Sequence, residues 1–101
     1  MRVFPFSELV EYVKTNQTRY FDYLNCRSSD ACGCLLVSFF KAKGIRVFYA
    51  NVKGEAKDVR NFTLAKVDLP FNSVGEIHCV GDDHIVSGRQ IFEKITQLNL
   101  A

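Results

Sequence analysis

Residues 29–50 read SDACGCLLVSFFKAKGIRVFYA, and this stretch decides the predicted fold. The serine or aspartate at its start is a suitable N-cap, and Gly44 is a suitable helix stop after two lysines. Between these ends the side chains are apolar around most of the helical circumference, which is typical of a helix central to a core. Over residues 45–50 the hydrophobic period changes from 3.6 to 2. The stretch therefore predicts a buried helix followed by a strand.

The sequence before this stretch predicts one further helix and a loop. Ser7 is a suitable N-cap, and Glu8 would lie in the first turn, where the helix dipole favours an acidic side chain. Apolar residues then recur at near-helical spacing to about Asn16. Residues 16–29 mix polar residues with four large apolar side chains, three of them aromatic. We expect this segment to be a loop anchored by its aromatic residues.

The sequence after the central helix predicts strands and a last helix. Residues 53–58 are expected to form a turn or exposed loop, and strands are predicted over 62–69 and 76–80, with a short return strand at 84–86. Ser87 and Gln90 have the spacing of a capping box, which opens the last helix. We therefore expect one α+β domain over residues 1–101, with three helices packed on a small three- to four-stranded antiparallel sheet in the order ααβββ(β)α.

Composition limits the class of protein. The chain has 101 residues, of which 48% are hydrophobic and 24% charged, and its formal net charge is +2. These values exclude a disordered chain and a strongly basic nucleic-acid coat protein. No apolar run reaches the length of a membrane span, and the N-terminus lacks the apolar core of a secretory signal. We expect a cytoplasmic protein without a membrane partner, whose four cysteines are thiols.

One alternative function is a papain-like thiol hydrolase. Cys32 lies near the start of the predicted central helix, where the helix dipole favours the thiolate, and His84 could serve as its base. The Asp30-Ala31-Cys32-Gly33 segment resembles the Asp-Cys-Gly opening of bacteriocin-processing cysteine peptidases. One extra residue separates Asp30 from Cys32, and the nearest upstream glutamine is Gln17. The resemblance implies Cys32 and His84 as catalytic residues.

A metal site is the next hypothesis that the sequence raises. Six side chains could serve as ligands: Cys26, Cys32, Cys34, Cys79, His78 and His84. Structural zinc sites prefer paired ligands two to four residues apart, and these cysteines do not have that spacing. Adjacent residues on the predicted third strand would also point to opposite faces. We therefore expect neither a metal nor another cofactor.

A third hypothesis is nucleic-acid binding by residues 41–60. This segment carries six basic side chains against two acidic ones, whereas residues 61–101 carry three basic and five acidic ones. Tyr49 or Phe48 could stack on bases beside the basic side chains. Lysines are also common on exposed strand edges, where they oppose aggregation. Nucleic acid is therefore the less favoured partner.

Three segments resemble short orphan proteins of phages and prophages. These segments are the apolar helix from Cys32 to Gly44, Leu69-Pro70-Phe71, and residues 89–95 (RQIFEKI). The resemblance carries no catalytic motif. It implies a compact domain that binds and blocks a host protein in the host cytoplasm, such as a component of a CRISPR defence complex.

The leading hypothesis is a non-catalytic binding protein that docks on a host or cellular protein and blocks or modulates it, as a monomer or homodimer. Tyr, Phe and Arg dominate the energetics of protein interfaces. The first predicted contact surface is the aromatic loop with its arginines: Arg19, Tyr20, Phe21, Tyr23 and Arg27. The second is the basic edge of the predicted sheet: Arg46, Lys53, Lys57 and Arg60.

Overall fold

The computed structural model describes residues 1–24 and 34–98. Along these residues the elements are β1 (Arg2–Pro5), α1 (Phe6–Thr15), β2 (Tyr20–Asp22), α2 (Leu35–Ala42), β3 (Glu55–Asp58), β4 (Thr63–Asp68), α3 (Gly75–His78), β5 (Ile85–Ser87) and α4 (Gly88–Gln97). The α+β class is confirmed. The predicted arrangement of three helices on one antiparallel sheet is wrong, because the described residues form four helices and two separate sheets.

Helix α2 lies in the core, as its sequence predicts. Every side chain from Leu35 to Phe40 is buried. Gly44 has a φ of 80°, a left-handed conformation that suits glycine and ends the helix. The predicted N-cap at residues 29–30 lies outside the described residues.

The larger sheet has the strand order β1-β4-β3 and contains a parallel pair that the sequence does not predict. Strand β1 runs parallel to β4 with Phe4 beside Val67, and both residues face the core. Strand β3 is antiparallel to β4. Because Phe4 is the only buried residue of β1, this strand has no alternating pattern to reveal it.

The segment between α2 and β3 is extended but forms no strand of its own, so the strand predicted at 45–50 is wrong. It pairs with β3 through a single bridge between Ala50 and Ala56. The Val59 amide also donates to the Arg46 carbonyl oxygen at 2.9 Å. The loop predicted at 53–58 instead contains β3, because Gly54, with a φ of 85°, completes the turn that reverses the chain.

The smaller sheet pairs β2 with β5 in antiparallel register. Phe21 and Val86 are opposite each other and fully buried, whereas Tyr20 and Ile85 are exposed. The return strand predicted at 84–86 is confirmed as β5. Residues 20–22, predicted as loop, form β2 because their one inward side chain, Phe21, fills the core.

Helix α3 occupies part of the segment that is predicted as a strand at 76–80. The Ser73 hydroxyl oxygen accepts the Gly75 amide at 3.1 Å, which supports the start of this short helix. Ile77 and His78 are consecutive and both buried, a pattern that does not fit a strand with one exposed face. The predicted strand is therefore wrong.

The two longest helices begin differently. Helix α1 has Pro5 at its N-cap and makes no side-chain cap, so the predicted cap at Ser7 is wrong. Helix α4 begins with the predicted capping box between Ser87 and Gln90, which is confirmed. None of the helices in the described part of the chain is long and apolar enough to cross a membrane.

Candidate functional site

Strands β2 and β5 bring Asp22 and His84 together. The Asp22 Oδ1 and His84 Nδ1 atoms are 3.0 Å apart, and both side chains are partly exposed. The backbones are joined nearby, because the Tyr23 amide donates to the His84 carbonyl oxygen at 2.8 Å. Asp22 therefore binds the Nδ1 edge of the imidazole and fixes the orientation of the ring. The sequence analysis missed Asp22, since nothing in the pattern links it to a histidine 62 residues away.

His78 lies beneath this pair as a fully buried histidine. Its ring contacts the Tyr23 ring at 5.4 Å and the Phe21 ring at 6.5 Å between centroids. Neither ring nitrogen has a hydrogen-bond partner among the described residues. Burial has the largest effect on the pKa of His78 and lowers it to about 4. His78 is therefore a neutral imidazole at physiological pH.

The described cysteines differ in oxidation state. Cys32, predicted as a nucleophile, lies outside the described residues, as does Cys26. Cys34 is disulfide-bonded, so its assignment as a thiol is wrong. Cys79 is a free thiol whose pKa is raised by partial burial, the opposite of what a nucleophile needs. Because disulfides are typical of oxidising compartments, cytoplasmic localisation stays a prediction.

The potential metal ligands do not converge within the described residues. Among residues 1–24 and 34–98, no group of three His, Cys, Asp or Glu side chains has an arrangement that could hold a metal ion. Among the six side chains that the sequence offers, His84 is engaged by Asp22 and His78 is enclosed by aromatic rings.

The outer face of the smaller sheet forms the ribbon surface, which consists of Tyr20 and Ile85. Tyr20 is 68% exposed and Ile85 is 54% exposed. Since Tyr20 pairs with Ser87, Ile85 is its diagonal neighbour on the same face. Arg19 lies toward the other side of the ribbon, because its guanidinium group is 5.4 Å from the ring centroid of the buried Phe21 and donates hydrogen bonds to the Tyr12 hydroxyl at 2.9 Å and the Ser38 hydroxyl at 3.4 Å. The ribbon surface therefore consists of exposed apolar area.

The other predicted contacts of the aromatic loop lie elsewhere. Phe21 is fully buried, and Tyr23 is partly buried against His78. Both belong to the core side of the ribbon, so neither is included in the ribbon surface. Arg27 lies outside the described residues.

A basic hollow lies at the end of α2. It is an open concavity of about 300 Å³ lined by Lys41, Gly44, Ile45, Arg46 and Arg60. Within residues 1–24 and 34–98, no carboxylate lines it. The Arg46 and Arg60 guanidinium groups form no ion pair or hydrogen bond with another described residue. Two of the predicted basic residues are therefore brought together by the fold.

A separate groove lies on the outer face of the larger sheet. It is lined by Tyr49, Asn51, Glu55, Ala56, Lys57 and Leu64. Tyr49 is 59% exposed, and Lys53 is exposed in the turn that precedes β3. Lys57 connects the groove to the turn that carries Arg60, because its Nζ atom lies 5.7 Å from the Phe62 ring centroid. We call Arg46, Tyr49, Lys57, Arg60 and Phe62 together the basic–aromatic surface.

Phe62 is the residue of this surface that the sequence analysis missed. The predicted strand at 62–69 places it on a sheet face, whereas β4 begins one residue later. Phe62 has a φ of 54°, and its side chain is 78% exposed. The preceding Asp58 and Asn61 are typical turn residues and could have indicated a turn here.

No family model, curated protein or solved structure matches the chain. The resemblances to cysteine peptidases and to phage proteins therefore stay predictions. Three features of the described residues could carry a function: the ribbon surface, the basic–aromatic surface and the Asp22–His84 pair.

Proposed function

We propose that the protein is a non-catalytic binding protein that docks through its ribbon surface on a partner protein and blocks or modulates it. The observation that carries this proposal is the exposure of Tyr20 and Ile85 side by side on the outer face of a paired sheet. Large apolar side chains grouped on a surface are typical of interaction sites. Their burial by a partner would release ordered water and stabilise the complex.

The chemistry of the ribbon surface defines the partner. Tyr20 and Ile85 present apolar side-chain area whose one polar atom is the Tyr20 hydroxyl oxygen. An aromatic side chain with a polar tip is typical of protein interfaces, because it buries a large area and keeps a hydrogen-bonding group. The fitting partner therefore has an apolar patch with a hydrogen-bonding group at its border.

Tyr20→Ala tests this proposal in a pull-down from the native cell, followed by calorimetry with the purified partner. We expect one dominant partner, whose affinity falls by roughly thirtyfold, as for an interface hot spot. Phe48→Ala is the matched control, because it removes an exposed aromatic side chain that belongs to neither the ribbon surface nor the sheets. A partner that binds Tyr20→Ala as tightly as the wild type, or recovery of no partner, would refute docking through the ribbon.

A thiol hydrolase remains the second candidate function, and the Asp22–His84 contact favours it. A carboxylate on Nδ1 leaves Nε2 available for proton transfer, which is the arrangement of a catalytic histidine with an orienting group. If Cys32 is the nucleophile, it should react rapidly with iodoacetamide at neutral pH, and Cys32→Ser should abolish turnover without unfolding the protein. Slow labelling of Cys32 in the folded protein would eliminate this candidate.

A further inference from the structure

We propose that the basic–aromatic surface binds single-stranded nucleic acid, with phosphates at the cations of the hollow and bases stacked on Phe62 and Tyr49. This surface is separate from the ribbon surface, so the inference does not depend on docking to a partner protein.

The positive charge of the basic hollow favours an anionic ligand. Arg46 and Arg60 line it together with Lys41, and no acidic side chain of the described residues takes part in the lining. The nearby Asp58 is buried, and its two oxygens already accept the Arg60 amide at 2.9 Å and the Asn61 side-chain amide at 3.3 Å. Arg46 and Arg60 therefore face solvent without a competing carboxylate from this turn, and a phosphate backbone complements them.

Phe62 provides the stacking platform. A left-handed φ is uncommon for phenylalanine, and asparagine or glycine would fit this turn position better. The ring is nevertheless 78% exposed, so it contributes little to the core. An exposed ring at a position where the backbone conformation disfavours phenylalanine points to a role outside folding.

Cations and rings are interleaved along the surface. Arg60 and Phe62 are two residues apart in one turn, Lys57 lies against the Phe62 ring, and Lys57 shares the groove with Tyr49. This arrangement matches an unpaired strand, whose backbone follows the cations while its bases stack on aromatic rings. A duplex keeps its bases stacked inside, and an acidic peptide offers no flat rings for Phe62 and Tyr49. Single-stranded nucleic acid is therefore the favoured occupant.

Fluorescence anisotropy tests the proposal with the whole protein and four labelled probes: a mixed-sequence DNA strand, the same sequence as RNA, its duplex, and polyglutamate. At low salt we expect at least one of the two single strands to bind more tightly than the duplex or polyglutamate. Arg60→Gln should reduce the slope of log affinity against log salt concentration by about 0.7, the contribution of one phosphate contact to a single strand.

Phe62→Asn should weaken binding at least about fivefold at every salt concentration, without changing the slope, because it removes stacking and no charge. Asparagine tolerates the left-handed conformation, so loss of binding cannot be attributed to unfolding. Arg89→Gln is the matched control, because Arg89 is exposed on α4 in an ion pair with Glu93. Absence of single-strand binding, equal binding of duplex or polyglutamate, or full affinity of Phe62→Asn would each overturn the proposal.

Discussion

Burial of His78 lowers the stability of the folded protein. Its side chain is fully buried, and its two ring nitrogens have no hydrogen-bond partner in the part of the chain that the structure describes. A buried polar group without a partner costs about 1–3 kcal/mol. The same enclosure disfavours the charged imidazole and lowers the pKa of His78 from 6.5 to about 4. His78 therefore links stability to pH.

Acid should destabilise the protein through His78. Between pH 6.5 and 4 the unfolded chain takes up a proton at this residue and the folded chain does not, so stability falls as the pH falls and levels off below about pH 4. The loss should approach about 3 kcal/mol across this range. Urea denaturation at pH 7.5 and pH 4.5 measures it.

His78→Leu isolates this contribution. The variant should be as stable as the wild type or more stable at pH 7.5, because it removes two unpartnered atoms, and it should lose less stability at pH 4.5. His84→Gln is the matched control, since it removes the partly exposed histidine and should keep the contribution of His78. An identical pH dependence of wild type and His78→Leu would show that this assignment is wrong.

Gly88 allows the start of α4 to approach the turn after α1. Its amide donates to the Arg19 carbonyl oxygen at 2.8 Å, and a Cβ atom at this position would collide with the carbonyl oxygen of Asn16. We expect Gly88→Ala to lower the free energy of unfolding by about 3 kcal/mol, because backbone atoms cannot move aside cheaply.

Gly44→Ala is the comparison for Gly88→Ala in thermal or urea denaturation. A Cβ at Gly44 meets nothing within 4 Å, so its cost comes only from the positive φ and should be about 1 kcal/mol. A smaller effect at Gly88 than at Gly44 would contradict the close approach.

Ser87 and Ser7 lie near the starts of α4 and α1 and provide a matched pair of substitutions. The Ser87 hydroxyl oxygen accepts the Gln90 amide at 3.2 Å, and the Gln90 side-chain oxygen accepts the Ser87 amide at 2.9 Å. Ser87→Ala should therefore cost about 1 kcal/mol. Ser7→Ala should change stability by less than about 0.5 kcal/mol, because Ser7 is exposed and α1 has no side-chain cap. Equal effects in denaturant titrations would contradict this difference.

Elements with strong local patterns were predictable from the sequence. The apolar run of α2, its glycine stop and the capping box of α4 each depend on residues within one turn of the helix. Strand β1 and the short strand β2 were not predictable, because each buries a single side chain, Phe4 or Phe21. Their pairing comes from partners distant in the chain, which periodicity does not encode.

The candidate surfaces were predictable only in part. The basic side chains of residues 41–60 and the aromatic side chains of residues 20–23 are recognisable from the sequence alone. The choice of Tyr20 over Phe21 depends on which face of β2 is turned inward, and this follows from its pairing with β5. Likewise Phe62 joins the basic side chains because the chain turns before β4.

A chain of aromatic ring contacts connects the two sheets. Phe4 of the larger sheet contacts Phe39 at 5.5 Å between ring centroids, and Phe39 contacts Tyr12 at 5.7 Å. Tyr12 in turn contacts Phe21 of the smaller sheet at 6.3 Å. Buried residues of both sheets belong to one hydrophobic cluster. The sheets share no strand, so this cluster couples them.

Both sheets should therefore lose stability together when the ring connection is weakened. Phe39→Leu reduces the volume of a fully buried ring and should lower the opening free energy of both β4 and β5 by a similar amount, about 2 kcal/mol, in native-state hydrogen exchange. Leu64→Ala is the control, because Leu64 is exposed on the outer face of β4 and should leave β5 unchanged. If Phe39→Leu accelerated exchange in β4 alone, the two sheets would be independent folding units, and a partner bound to the ribbon surface could not stabilise the basic–aromatic surface.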